Sequence, residues 1–372
     1  IRESIIPELS PGNHPSLKEI LGIDADLSED VTSIQFPLSN LVTFYNNPIK
    51  QTLRNSYGID LFEADVPDDD VEPFDLNGLD KWKIRTVFHQ QLIDGLKNEG
   101  ASLNFDVNMM QSMSTRLELE GILPDAIAGQ KSLDSVMKDL AQIWNGVHSD
   151  PVLDLSWPLV RKAISKDVNL SDGVDVNVSG EFDLCANDVY FALEAGSINQ
   201  KRILQHWIHH VLLNCEGPVK SRVYFKEQKI VEFAELTFGE ASIRLYNLLL
   251  IMVLSERYLI PIFPECSELY LKYVQNGDSN NTKNALRRII DVTSGEPGQH
   301  ASESLNEISS PWVAHAWAEK HPLHLSISAE NMTPDQLQES TDFIIKMSDF
   351  DDFDAFSVIS VKLFGLMKGD TL

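Results

Sequence analysis

The sequence predicts an α/β fold whose core runs helix, strand, strand, strand, helix, strand. Three observations between Val174 and Tyr224 carry that prediction. Apolar residues alternate at Val174, Val176 and Val178, and again at Val189, Phe191 and Leu193, which is the period of two of a strand. Asn187-Asp188 between the two runs is turn chemistry. Beyond Gly196 the period lengthens: Ile203, Trp207, Val211 and Leu212 share one helical face, Gly217-Pro218 closes the helix, and VKSRVYF resumes the strand pattern.

The other elements follow in order. Residues 1–33 are rich in Pro, Ser, Asp and Glu, and Pro7, Pro11 and Pro15 break regular structure, so this stretch reads as a lead-in or linker. A helix is expected from Pro37, capped by Ser39, with Leu41, Phe44 and Tyr45 as its apolar stripe. Pro48 interrupts it and opens a second helix that ends at Tyr57-Gly58. Between Phe62 and Asp75 stand seven carboxylates and no basic residue. The run lacks the Gly-centred spacing of a calcium loop and reads as a solvated acidic loop. Amphipathic helices are expected over 79–96 and 103–117, then the first core helix from Ser132 to Trp144 and a strand around Val152–Leu155. After the core come a hairpin turning at Glu227-Gln228 and an apolar helix over 240–254. A helix over 267–274 and a basic helix with Lys283, Arg287 and Arg288 follow, then helices near 312–319 and 334–347 and an apolar terminal helix.

Composition narrows the function. The 372 residues are 43% hydrophobic, enough for a large core. The net charge of −26 opposes free-standing DNA binding, which rests on Lys and Arg neutralising phosphates. It leaves room for a local basic surface, or for one wall of a channel completed by partners. Three scattered cysteines without CxxC spacing fit a reducing cytoplasm. No signal peptide stands out, and LYNLLLIMVL reads as a buried helix rather than a membrane span. The chain opens on Ile1, as a piece of a longer polypeptide would. There is no phosphate-binding loop and no nucleophile elbow.

Six segments, in this order, resemble one known family. They are LSNLVTFYNNPIKQTLRNSYGIDL, DVEPFDLNGLDKWKIR, EGILPDAIAG, VSGEFDL, LQHWIHHVLLN and IPIFPECSELYLK, spread from Leu38 to Lys272. Together they are similar to the C-terminal domain of the exodeoxyribonuclease V gamma chain, the RecC family. The resemblance implies a degenerate PD-(D/E)XK (restriction-endonuclease-like) nuclease core, αβββαβ, over about 132–230 with large helical additions. It assigns residues 1–33 to a lead-in from helicase-like domains and residues 34–372 to the nuclease-like domain. It further implies a bacterial cytoplasmic location, RecB and RecD as partners, and DNA at a fork in the full complex. Mg and ATP would act in the partner subunits, with no cofactor and no metal here. The implied role is a non-catalytic scaffold that helps split the duplex and guide the strands in double-strand-break repair.

Nucleases of this fold need carboxylates for Mg²⁺ and a lysine that activates water. Asp183 falls at the first carboxylate position and Glu194 near the second, and Gln205 and Trp207 match a following Gln-x-aromatic motif. The lysine position, two after Glu194, is Gly196, so the site reads as vestigial. Lys201 is the residue that would restore it as an active Mg-dependent nuclease. His206, His209 and His210 sit at helical spacing and are expected on the helix surface rather than around zinc. For nucleic acid the candidates are Lys220, Arg222, Tyr224, Lys226 and Lys229 on the hairpin, against the bland reading of an edge strand protected by lysines. A third alternative is a module that binds RecD alone.

Overall fold

The computed structural model describes residues 34–61, 126–153, 160–170, 174–186, 189–256, 259–275, 282–293, 307–308, 310–317 and 355–371, with isolated positions at 84, 93–95 and 115. The expectations for 1–33, the acidic run, most of 79–117, the Asn187-Asp188 turn and 334–347 fall outside the described residues.

Strand β1 (Ile34–Pro37) leads directly into helix α1 (Leu38–Asn46). Pro37 occupies the N-cap, without a side-chain cap, so Ser39 lies inside the first turn instead of capping it. Helix α2 (Pro48–Tyr57) opens with Pro48 in its first turn, and Asn47 Oδ1 accepts the Lys50 N–H. It stops at Gly58, whose φ of 62° is left-handed, and the Ile59 N–H closes the turn on the Leu53 carbonyl at 2.9 Å.

The first core helix, α3, spans Ala126–Ser149, starting six residues before Ser132 and running beyond Trp144. No strand forms at Val152–Leu153. The first core strand is instead β2 (Val160–Leu170), VRKAISKDVNL. Its charges hide the strand period because only Ile164 and Leu170 are buried. Strands β3 (Val174–Ala186), β4 (Val189–Glu194), β5 (Lys220–Phe225) and β6 (Ile230–Phe233) complete the sheet, with helix α4 (Gln200–Asn214) between β4 and β5.

The long β3 organises the sheet. β2 runs antiparallel along one edge from Val160–Cys185 to Leu170–Val174. A strand has only two edges, so β1, parallel at Val176–Ser179, and β4, antiparallel at Cys185–Ala186, share the other. β4 and β5 are parallel, as the α4 crossover requires, and β5 returns antiparallel as β6. The turn between them is a 3₁₀ segment, Lys226–Gln228, in which Glu227 (φ 63°) and Gln228 (φ 57°) both take the left-handed conformation.

Both faces are covered. β4 is buried from Val189 to Leu193, the mark of a strand between helical layers. Val223 and Phe225 join the core shared with α4, while Tyr224 lies on the other face beside Gly146 of α3. Helix α4 is buried on more than the single expected face, including Leu204, His206, Ile208 and His210. Helix α5 (Phe238–Ser255) opens with a capping box between Thr237 and Glu240. It is long and apolar enough to cross a membrane by length and composition, but it runs through the core, with Leu248–Ser255 buried. Helices α6 (Pro264–Gln275), α7 (Thr282–Thr293), α8 (Pro311–Ala316), α9 (Ala355–Ile359) and α10 (Gly365–Asp370), with a π-helical turn at Ser360–Phe364, contribute to the same core.

Candidate functional site

The sheet delivers Glu194 to the end of the buried central strand, where the chain leaves β4 for α4. Asn199 caps α4, its Oδ1 accepting the Arg202 N–H at 2.9 Å, and that cap fixes where Arg202 begins. The Arg202 guanidinium turns back over the loop, donating to the Ser197 carbonyl and placing Nε 3.3 Å from Glu194 Oε1. It occupies the space of a missing side chain: a Cβ on Gly196 would stand 2.2 Å from Arg202 Cζ. Glu194 also accepts the Gly196 N–H at 2.9 Å, and His206 Nε2 stands 3.6 Å from its other oxygen, an electrostatic contact rather than a hydrogen bond. Burial works against the ionised carboxylate, but His206, the Gly196 N–H and Arg202 outweigh it and hold Glu194 below the ordinary carboxylate value.

Asp183 lies on β3, half exposed, with Arg161 Nε 3.4 Å away; the same arginine pairs with Glu181. Gln205 is half-buried on α4. Trp207 is buried and its Nε1–H donates to Asp370 Oδ2 at 2.9 Å, so its polar edge serves the core. Lys201 lines an adjoining cleft that Arg202 also borders, where its charge is felt at Glu265, Cys266 and Glu307. The cation beside Glu194 is therefore Arg202, a residue the sequence reading passed over. Among the described residues no three carboxylate, imidazole or thiol side chains converge as a metal site.

The histidines are not on the surface. His210 is fully buried, its Nδ1 2.7 Å from Ser221 Oγ, and His206 is 6% exposed. His209 packs on Phe182 and reaches the Tyr190 hydroxyl at 3.3 Å. Crowding by β3, β4 and β5 on one side and α5 on the other explains the difference, since neither layer is local to α4.

The basic hairpin does not present its five candidates together. Lys220 and Lys229 are exposed, Lys226 is half-buried, and Lys229 Nζ lies 2.9 Å from Glu227. Arg222 is directed inward, 3.0 Å from Asp150 Oδ2 and 2.9 Å from Glu232. Tyr224 is 1% exposed and donates its hydroxyl to Asp150 Oδ2 at 2.8 Å, which leaves no ring face for a base. Asp150, at the end of α3, converts an apparent nucleic-acid motif into an internal tie, and nothing in the local spacing signals it.

Family comparison covers most of this framework. A model of the RecC C-terminal domain matches residues 34–275, from β1 through α6. The chain belongs to that family. Over 182 residues, 49% of the chain, it is also 25% identical to the RecBCD enzyme subunit RecC of Buchnera aphidicola subsp. Schizaphis graminum (strain Sg). That alignment spans 15% of the relative's length. The family match includes Glu194, Gly196 and Arg202, and stops before α7.

Proposed function

We propose that this domain is a non-catalytic scaffold within a RecBCD-type helicase–nuclease, built on the core of a PD-(D/E)XK nuclease that has lost its chemistry. The αβββαβ order from α3 to β5 supports the ancestry. The observation that carries the loss of chemistry is the neutralised Glu194. A carboxylate that already faces a guanidinium, an imidazole and a backbone N–H would have to shed them to bind a dication, against Coulomb attraction that is strong in a half-buried setting. Gly196 leaves no ammonium at the lysine position, and the Arg202 guanidinium in its space cannot lose a proton to serve as a base. The residues present do not fit a catalytic Mg²⁺. In the assembled enzyme the domain would brace RecB- and RecD-type partners and border the path of unwound strands in the cytoplasm during break repair.

DNA contact within this role falls to Lys220, Lys226 and Lys229, because Arg222 and Tyr224 are committed to Asp150. The deciding experiment is titration of the purified chain with Mn²⁺ by calorimetry, paired with hydrolysis assays on single- and double-stranded DNA. The expected result is no heat of binding near Glu194 and no cleavage. Cleavage abolished by Glu194→Gln would establish an active nuclease and sink the scaffold reading.

A further inference from the structure

Strand β2 is an outer strand along all eleven of its residues. β3 holds one edge, and among the described residues no strand lies on the other. From Ala163 to Asn169, every second backbone N–H and C=O is therefore directed away from the sheet.

Two clefts lie beside that edge. One, of about 500 Å³, separates Lys162–Ile164 from the end of α4, with Leu213, Pro218 and Val219 as its apolar wall. The other, of about 410 Å³, separates Lys166–Asn169 from the start of α5, against Phe238, Ile243 and Tyr246. Neither is lined by a residue of β3, so both open past the outer edge. Ile164 in the first and Val168 in the second belong to the same face of the strand, four residues or ~13 Å apart. Phe238 and Ile243, 58% and 62% exposed, keep the rim of the second cleft apolar. Lys166 Nζ hangs 4.4 Å from the Phe238 ring centroid and pairs with no carboxylate among the described residues.

These features restrict the occupant. A free edge offers a main-chain ladder to an extended segment, and clefts four residues apart receive two side chains from one face of it. Apolar walls in both clefts suit apolar side chains, and Lys166 between them suits a carboxylate midway. A second copy of the chain does not meet these demands. Its own Lys162 and Lys166 share the face of Ile164 and would bring cations against cations. We infer that the outer edge of β2 accepts an extended segment of a partner protein as a further strand, with the pattern apolar-x-acid-x-apolar. Lysines on an open edge also discourage pairing with arbitrary strands, so the central acid is what selects the partner. The inference rests on the scaffold reading and deepens it, giving the chemistry by which a partner docks. It involves neither Glu194 nor the hairpin lysines.

The probe is the labelled peptide acetyl-Thr-Leu-Thr-Glu-Thr-Leu-Thr-amide, whose pattern reads the same in either strand direction. Fluorescence anisotropy should give saturable one-to-one binding to the purified chain, and amide hydrogen exchange should slow over 163–169. Lys in place of the peptide's Glu should weaken binding about tenfold or more, a loss of ~1.4 kcal/mol. Lys166→Glu should reverse that preference. Comparison of the two peptides on the wild-type chain decides the matter should this variant fail to fold. No saturable binding at millimolar concentration overturns the inference. So does equal affinity for the two peptides, or exchange protection confined to other elements. Self-association of the chain that protects 163–169 would name a second copy as the occupant and overturn it as well. The assay holds neither metal nor DNA, so failure here leaves the scaffold proposal to its Mn²⁺ and hydrolysis tests, and cleavage there would leave this result standing.

Discussion

His209 and His210 show how burial sets a side chain's chemistry. Burial, reinforced by the charge of His206, lowers His209 from 6.5 to about 3. Burial does the same for His210, where a bond to the Ala234 backbone opposes the shift and the charge of Arg244 adds to it. Below 6.5 the unfolded chain takes up protons that the native state refuses, so the stability these residues give is complete above 6.5 and lost as pH falls toward 3. Urea unfolding at pH 7, 6, 5 and 4 should show a falling midpoint, and His209→Phe should reduce the slope by about one proton. Glu307 works in the opposite sense. Its native value of about 7 lies above the ordinary 4.5, so its contribution is present below 4.5 and disappears as pH rises through 7. Glu307→Gln should flatten that decline, worth about 3 kcal/mol across the window, when stability is compared at pH 5 and pH 8.

At the scale of elements, the last helix acts as a clamp. Asp370, at the end of α10, receives Arg244 of α5 through two bonds of 2.7 and 2.8 Å and the Trp207 indole of α4 at 2.9 Å. Its backbone carbonyl accepts the Ala234 N–H just beyond β6, and Thr371 bridges to Phe233. Asp370→Ala leaves Arg244 buried and unpaired, so chemical denaturation should register a loss of ~3–5 kcal/mol. The double variant with Arg244→Met should regain part of it. The exposed Arg54–Asp60 pair, by contrast, should cost no more than ~1 kcal/mol when broken. Gly196→Ala tests the junction of β4 and α4. The new methyl must displace the Arg202 guanidinium, and NMR titration should find the Glu194 value raised toward that of an ordinary carboxylate. A Glu194 titration unchanged in this variant would show that Arg202 contributes nothing to it.

For the molecule as a whole, charge limits how tightly it can bind DNA. A chain at −26 with three hairpin lysines outside the core can neutralise few phosphates. Fluorescence anisotropy on forked DNA should therefore give weak binding, with a log–log salt slope no steeper than about −3. A steep slope with nanomolar affinity would reveal a basic surface beyond the hairpin.

The alternation of Val174, Val176 and Val178, the apolar face from Ile203 to Leu212 and the Gly58 stop all stand in the structure as their spacing predicts. These are local effects: period, cap and turn act within a few residues. Strand β2 was hidden because an edge strand buries only two of its side chains and its lysines mask the rest. β1 was hidden because four residues set no period. The αβββαβ order was legible even though its first strand was expected in the wrong place. Amino-acid identities alone put Glu194 at the end of an apolar strand, with Gly196 two residues beyond it. Only the tertiary structure decided what those residues face. Arg202 folds back over Gly196 because a cap on α4 aims it there, and Arg222 and Tyr224 turn inward because Asp150 arrives from a distant helix. Ion pairs and buried hydrogen bonds join residues far apart in the chain, and no spacing rule reports them.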